Sequence, residues 1–155
     1  SLGYHNDPAA NAALFTRDGW MQMDDIVEID GDGYLRVVGR IGDFVIRGGK
    51  NISCAAVEEI ALQHPAIALA AAIGVPDAVF GERVALFVAL QEQAPAPSLA
   101  EVARHFRDCE ASTETIPEYL IVRSDLPRAS GGKIAKGELR DLARALLVPE
   151  CEAGE

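Results

Sequence analysis

From Asp25 the polar, small-residue start of the chain gives way to short apolar segments that read as strands. Asp25 to Asp30 and Tyr34 to Val38 read as two strands. They are joined by Asp30-Gly31-Asp32-Gly33, a hairpin signal because glycine accepts positive φ. Phe44 to Arg47 reads as a third short strand ending at Gly48-Gly49. A helical pattern follows. Ser53 is placed to cap a helix that carries Glu58 and Glu59 early, turns Val57, Ile60 and Ala61 to a core and closes at His64-Pro65. Ala66 to Val75 is an apolar run that reads as a buried strand, although its alanines also suit a helix, and Arg83 to Leu90 reads as another strand. After a Pro/Ala linker from Gln91 to Pro97, Ser98-Leu99-Ala100-Glu101 is a capping box. It opens a helix to about Ala111 with Leu99, Val102, Ala103 and Phe106 on one face. Tyr119 to Arg123 reads as a short strand, Pro127 to Lys133 as a Ser/Gly-rich loop and Glu138 to Leu147 as an amphipathic helix. Residues 1–18 are polar and small with Asn6-Asp7-Pro8 as a turn signal, and the tail from Pro149 to Glu155 is acidic. A hairpin followed by strands alternating with helices is an α+β pattern, without internal repeats, and its boundary falls near Arg40 to Asp43.

Composition narrows the function classes. The chain has 155 residues, 49% of them hydrophobic, which suits one domain or one domain plus a piece of another. Its formal charge of −10 argues against nucleic-acid binding through bulk charge. The apolar run Ala66 to Val75 is too short for a membrane span, and the first residues show no basic patch followed by an apolar stretch, hence no visible signal peptide. Cys54, Cys109 and Cys151 are odd in number, far apart and without a CxxC, so neither a disulfide framework nor a structural zinc site is expected, and a reducing cytoplasm is the expected compartment. His5, His64 and His105 have no metal-ligand spacing, so no metal site is expected.

Four places could carry chemistry. In PRASGGKIAK, residues 127–136, Gly131 and Gly132 let the backbone turn so that Lys133 projects from a loop tip, as a movable charge for a phosphate or carboxylate. Asp125 to Arg144 carries net +2 while the rest of the chain carries −12, a local island suited to a small anion or simply a solvated face. It is not a Walker loop, since Lys133 is followed by Ile134. Gly48-Gly49 permits close backbone approach by a ligand, or an ordinary tight turn. Asp25 at a strand end can accept hydrogen bonds from vicinal hydroxyls or serve as a turn residue, and Arg40 can pair with a phosphate or ribose oxygen or be structural.

The order of these signals is more specific than any one of them. GYHNDPAANAALFTRDGWMQMDDIVEIDGDGYLRVVGRIGDFVIRGGKNIS, followed by LPRASGGKIAKGELR, resembles the adenylate-forming enzymes: acyl-CoA synthetases, adenylation domains of peptide synthetases and firefly luciferase. The resemblance runs over about residues 3–145. It implies ATP-dependent activation of a carboxylate to an acyl-adenylate, then displacement of AMP by a thiol. Carried over residue by residue, it makes Lys133 the catalytic lysine, Asp25 the ligand of the ribose hydroxyls and Arg40 a ligand on the ribose and phosphate side. It makes Asp43 the hinge, and Gly48 and Gly49 the loop lining the pantetheine channel. The sequence departs from the family at Met23-Asp24-Asp25, where Thr-Gly-Asp is usual, at Gly42, where lysine is usual, and at Ala129, where threonine is usual.

The fold implied is a small C-terminal domain, residues 41–148, with a short, mostly antiparallel sheet flanked by helices. Residues 1–40 are its preceding β-hairpin segment, from the end of a large N-terminal AMP-binding domain, and 149–155 are an acidic tail. The family's phosphate loop and acyl pocket have no counterpart here, so the chain reads as a piece of a longer enzyme, inactive alone. The implied cofactors are ATP with Mg, bound mainly by that N-terminal domain, and CoA. The implied partners are a small carboxylate and the N-terminal domain, with a carrier protein as an alternative thiol acceptor. The Arg-Gly-Gly-Lys-Asn-Ile string is similar to the CoA ligase form of the loop. A unit loading an aryl or acyl group onto a carrier, and a non-catalytic module with the same fold, are the competing readings.

Overall fold

The computed structural model describes residues 3–147, so the acidic tail 149–155 and Cys151 lie outside the described residues. The chain divides into two compact units, Ser1–Gly42 and Asp43–Glu155.

The first unit opens with helix α1 (Pro8–Leu14). The Asn6-Asp7-Pro8 turn signal is in fact a helix start. Asp7 is the N-cap, its Oδ1 accepting from Ala10 N at 2.9 Å, and Pro8 takes the first position, where its missing N–H costs nothing. Strands β1 (Asp25–Ile29) and β2 (Leu35–Arg40) pair antiparallel, with a register shift between Ile26 and Val27. Their turn is held by Asp30, whose Oδ1 accepts from Asp32 N and Tyr34 N, with Gly33 at φ +86°.

A 3-10 turn over Ile41–Asp43 spans the start of the second unit at Asp43. Its elements are β3 (Phe44–Arg47), β4 (Lys50–Ser53), α2 (Cys54–Leu62), β5 (Ile67–Asp77), β6 (Gly81–Leu90), α3 (Leu99–Asp108), β7 (Tyr119–Arg123) and α4 (Lys136–Leu147). The sheet runs β4-β3-β6-β5, antiparallel throughout, and β7 joins β6 in parallel. The architecture is α+β with a mostly antiparallel sheet, as the sequence predicts.

Both faces of the β5–β6 pair are buried, which explains the unbroken apolar run of β5. Ala70, Ala72, Val84, Leu86 and Val88 face Val57 and Ala61 of α2 and Val102 and Phe106 of α3. Their alternates Ala71, Ile73, Ala85 and Phe87 face Leu139 and Ala143 of α4 and Leu126. Ser53 caps α2 and the capping box of Ser98 and Glu101 opens α3, both as expected. On the shared face of α3, Val102 and Phe106 are buried while Leu99, in the first turn, is 38% exposed. The helix ends at Asp108 rather than near Ala111: Glu110 takes φ +56°, Glu110 N donates to Arg107 O and Ala111 N to Phe106 O, closing a Schellman motif with glutamate in the glycine position.

Candidate functional site

In the first unit, β1 begins at Asp25 and β2 ends at Arg40, and antiparallel pairing sets them opposite each other. Arg40 Nε lies 2.9 Å from Asp25 Oδ1, with side chains 60% and 22% exposed respectively. One such bond leaves the carboxylate with further acceptor capacity. Beside the pair is a cavity of about 360 Å³, lined by Tyr4, Leu14, Met21, Met23, Asp24 and Arg40 among others. Asp24 O accepts from Ile41 N at 2.7 Å. The two adjacent aspartates therefore differ in role: Asp25 pairs with Arg40, while Asp24 is exposed and lines the cavity.

In the second unit, Gly48 and Gly49 make the two-residue turn between β3 and β4, with Arg47 and Lys50 paired across it. Their φ values of +57° and +82° demand glycine-like freedom at both positions. A Cβ at Gly49 would meet nothing within 4 Å, and one at Gly48 only Phe80 Cδ1 at 3.9 Å. Conformation rather than crowding thus selects these glycines, and the surface over the turn is open to an approaching group. The turn is braced from below. Gly48 N donates to Phe80 O at 2.8 Å, and Ile46 N donates to the Glu82 carboxylate at 2.7 Å. The guanidiniums of Arg47 and Arg83 lie 5.1 and 4.9 Å from the Phe80 ring centre. Arg47 Nη2 also pairs with Glu118 Oε1 at 2.6 Å, and Arg83 with Asp77. The hydrogen bond from Arg83 holds the Asp77 carboxyl down at about 2.

Lys133 lies on a miniature hairpin. Arg128 and Ile134 pair across it, Ala129 N donates to Lys133 O at 2.7 Å, and Ala135 N donates to Pro127 O at 2.8 Å. Gly131 and Gly132 at its tip have φ of +101° and +79°. Lys133 is exposed, and among the described residues no carboxylate pairs with its ammonium. The basic island around it is partly neutralised, since Lys136 is taken up in an internal ion cluster and Arg144 lies 3.9 Å from Asp141.

That cluster is what sequence reasoning missed. Lys136, the first residue of α4, sends its ammonium inward to Glu58 Oε1 at 2.9 Å and Asp43 Oδ1 at 3.3 Å. Glu58 Oε1 also accepts from Ala72 N of β5 at 2.8 Å. Burial works to lower the Lys136 pKa, but the hydrogen bond and charge of Glu58, with Cys54 and Asp43, outweigh it and leave it above the usual lysine value. Burial pushes the neighbouring Cys54 thiol up to about 11, which removes it as a nucleophile at neutral pH. A reader of the sequence could have flagged Lys136 only by noting that it opens a helix, where acidic rather than basic residues are favoured.

Among the described residues no group of three or more His, Cys, Asp or Glu side chains is arranged to hold a metal ion, and no helix is long and apolar enough to cross a membrane.

Comparison with known proteins identifies the family. Residues 56–133 match the model of the AMP-binding enzyme C-terminal domain. The 2-hydroxy-7-methoxy-5-methyl-1-naphthoate–CoA ligase of Streptomyces carzinostaticus is 42% identical over 141 residues, which are 91% of this chain and 25% of that enzyme. The medium-chain fatty-acid–CoA ligase of Escherichia coli (strain K12) is 37% identical over 152 residues, 97% of this chain and 27% of that enzyme. Among solved structures, ATP-bound MatB from Rhodopseudomonas palustris matches with a TM-score of 0.75 at 32% identity, over 93% of this chain and 28% of that one. The chain thus spans about a quarter of the length of these relatives. It belongs to the AMP-binding enzyme C-terminal domain family and corresponds to the C-terminal portion of the adenylate-forming enzymes.

Proposed function

We propose that the chain is the C-terminal part of an ATP-dependent acyl-CoA ligase. The whole enzyme converts a carboxylate and ATP into an acyl-adenylate and pyrophosphate. The thiol of CoA then attacks the acyl carbon and releases AMP. The observation that carries the reading is Lys133, an exposed lysine at the end of a two-glycine hairpin, free of any carboxylate partner among the described residues. During adenylation, negative charge builds between the carboxylate oxygen and the α-phosphate. A lysine brought to that point in a water-poor cleft offsets it, an effect of several kcal/mol.

In this reading residues 1–40 close the large N-terminal AMP-binding domain and 41–148 are the mobile domain that turns about Asp43. Asp25 accepts the ribose hydroxyls, and Arg40, already oriented by Asp25, faces the ribose and phosphate side. The Gly48–Gly49 turn lines the pantetheine path, a reading supported by the absence of any atom within 4 Å of a Cβ built at Gly49. Lys133 must leave before the thiol enters, and a domain rotation about a hinge serves both steps. Mg accompanies ATP, and the ligands for it belong to the N-terminal domain. The free thiols of Cys54 and Cys109 suit a reducing cytoplasm.

The named relatives act on a naphthoate and on medium-chain fatty acids, so acyl choice lies with the part of the enzyme that builds the acyl pocket. A fatty acid or related carboxylate is the proposed substrate. The test is AMP formation by the enzyme with its native upstream sequence, over fatty and aryl carboxylates, with and without CoA. CoA-dependent AMP formation is expected, with no pyrophosphate release by the isolated chain. Pyrophosphate exchange without CoA turnover would instead assign the acyl group to a carrier protein.

A further inference from the structure

We infer that Lys136 is a positioning residue for the adenylation step, tying the root of the Lys133 hairpin to Asp43 and Glu58. The inference rests on the proposed role of Lys133 and extends it to a residue that does not touch substrate.

The hairpin from Pro127 to Ala135 is closed by its own hydrogen bonds: Ala135 N to Pro127 O, Ala129 N to Lys133 O, Gly132 N to Ala129 O at 3.0 Å, and Arg128 Nη1 to Gly132 O at 3.2 Å. A loop closed this way moves as one body about its root. Leu126 before it and Leu139 after it are buried in the core. Apolar packing of this kind sets depth but tolerates rotation and small slips, because it is not directional. Lys136 supplies the direction. Its side chain is only 19% exposed, and its ammonium is bonded to two carboxylates from different elements. Glu58 in turn accepts from Ala72 N of β5, so the ammonium is referred to the sheet. Asp43 is the first residue of that unit, directly after the break between the two units. The Lys133 hairpin and the break in the chain are therefore anchored on one ion cluster, three residues from the lysine that is to act.

A solvated surface pair would contribute little. The Lys136–Glu58 pair is mostly withdrawn from water, with side chains 19% and 20% exposed, while Asp43 is 40% exposed. A long side chain at the end of a closed hairpin magnifies an error at the root, and misplacement of a reacting group by about 1 Å costs up to about a hundredfold in rate.

The test uses the full-length enzyme and separates the half-reactions. ATP–pyrophosphate exchange reports adenylation. Thioester formation from supplied synthetic acyl-adenylate and CoA reports the second step. Lys133→Ala is the control for the underlying reading. Lys136→Met is expected to slow exchange by roughly tenfold to a hundredfold while leaving thioester formation from acyl-adenylate within about twofold. Lys136→Arg, which can still bridge both carboxylates, is expected to restore most of the exchange rate. Glu58→Gln keeps an acceptor for Ala72 N and is expected to show the same split with a smaller loss. Equal loss in both half-reactions that tracks a lowered melting temperature, in Lys136→Met and Glu58→Gln alike, would make Lys136 a structural cation only. No change in either half-reaction would also overturn the inference. An exchange rate untouched by Lys133→Ala would sink the reading of Lys133 itself, and the role of Lys136 with it; a normal Lys133→Ala result beside a silent Lys136→Met removes only the second.

Discussion

Arg40 and Asp25 are direct partners across the open end of the β1–β2 hairpin, with Arg40 Nε 2.9 Å from Asp25 Oδ1. In the sequence they stand fifteen residues apart as two separate candidates for nucleotide contact. The hairpin register makes them one unit, and a pair whose arginine is 60% exposed adds little to stability. The pair orients two groups of opposite charge toward the same side of the strand ends. Asp25→Asn in the full-length enzyme is expected to raise the KM for ATP by about tenfold or more, the cost of weakening a charge-assisted hydrogen bond. The unfolding free energy should change by less than about 1 kcal/mol. Steady-state kinetics and denaturant unfolding together check both halves of that statement.

The glycine turn makes a conformational prediction. Gly49 holds φ +82° with open space around it, so Gly49→Ala should cost about 1–2 kcal/mol through backbone strain alone. Gly48, at φ +57°, lies in the left-handed helical region that asparagine tolerates, so Gly48→Asn should cost clearly less than Gly48→Val. Urea midpoints of the three variants give the order directly. Equal costs for asparagine and valine at position 48 would contradict it.

A stabilising change is available at the end of α3. Glu110 occupies the left-handed position of the Schellman motif, where glycine is ordinarily found. Glu110→Gly removes that strain and should stabilise the domain by about 0.5–1 kcal/mol, after allowance for the added freedom of the unfolded chain. Thermal unfolding reads the change as a raised midpoint.

Much of the second unit was legible because its elements carry both a period and a punctuation mark: Ser53 and Ser98 as caps, Pro117 before β7, glycine pairs at the turns. Helix α1 was not, because its composition is alanine and asparagine with no buried face, and its Asp-Pro start reads equally as a turn. Strand β4 was missed because it is four residues long and three of its side chains, Lys50, Asn51 and Ser53, are polar. At the candidate site, each residue's type was readable but pairing was not. Nothing in the spacing of Asp43, Glu58 and Lys136 announces that the sheet brings them together. The same holds for Phe80, in the turn between β5 and β6, set between Arg47 at the end of β3 and Arg83 of β6.

The Asp77–Arg83 pair predicts a pH dependence. Hydrogen bonding from Arg83 lowers the Asp77 carboxyl from an ordinary 3.8 to about 2 in the folded protein. A carboxyl lowered on folding contributes stability above its unfolded value, and that contribution is lost as pH falls through the folded value. The contribution is therefore full above about pH 4 and disappears between there and about pH 2. Asp77→Asn should flatten the fall in urea midpoint across that window relative to the parent chain. A parallel fall in both proteins would show that other carboxylates carry the acid sensitivity.

The central claim is that Lys133 acts in adenylation and is absent from the thiol step. It is tested most directly by comparing the full-length enzyme with its Lys133→Ala variant, in acyl-adenylate formation from carboxylate and ATP and in thioester formation from supplied acyl-adenylate and CoA. Loss of the first by about a hundredfold or more, with the second retained, is the predicted result. Retention of adenylate formation in the variant would contradict the account.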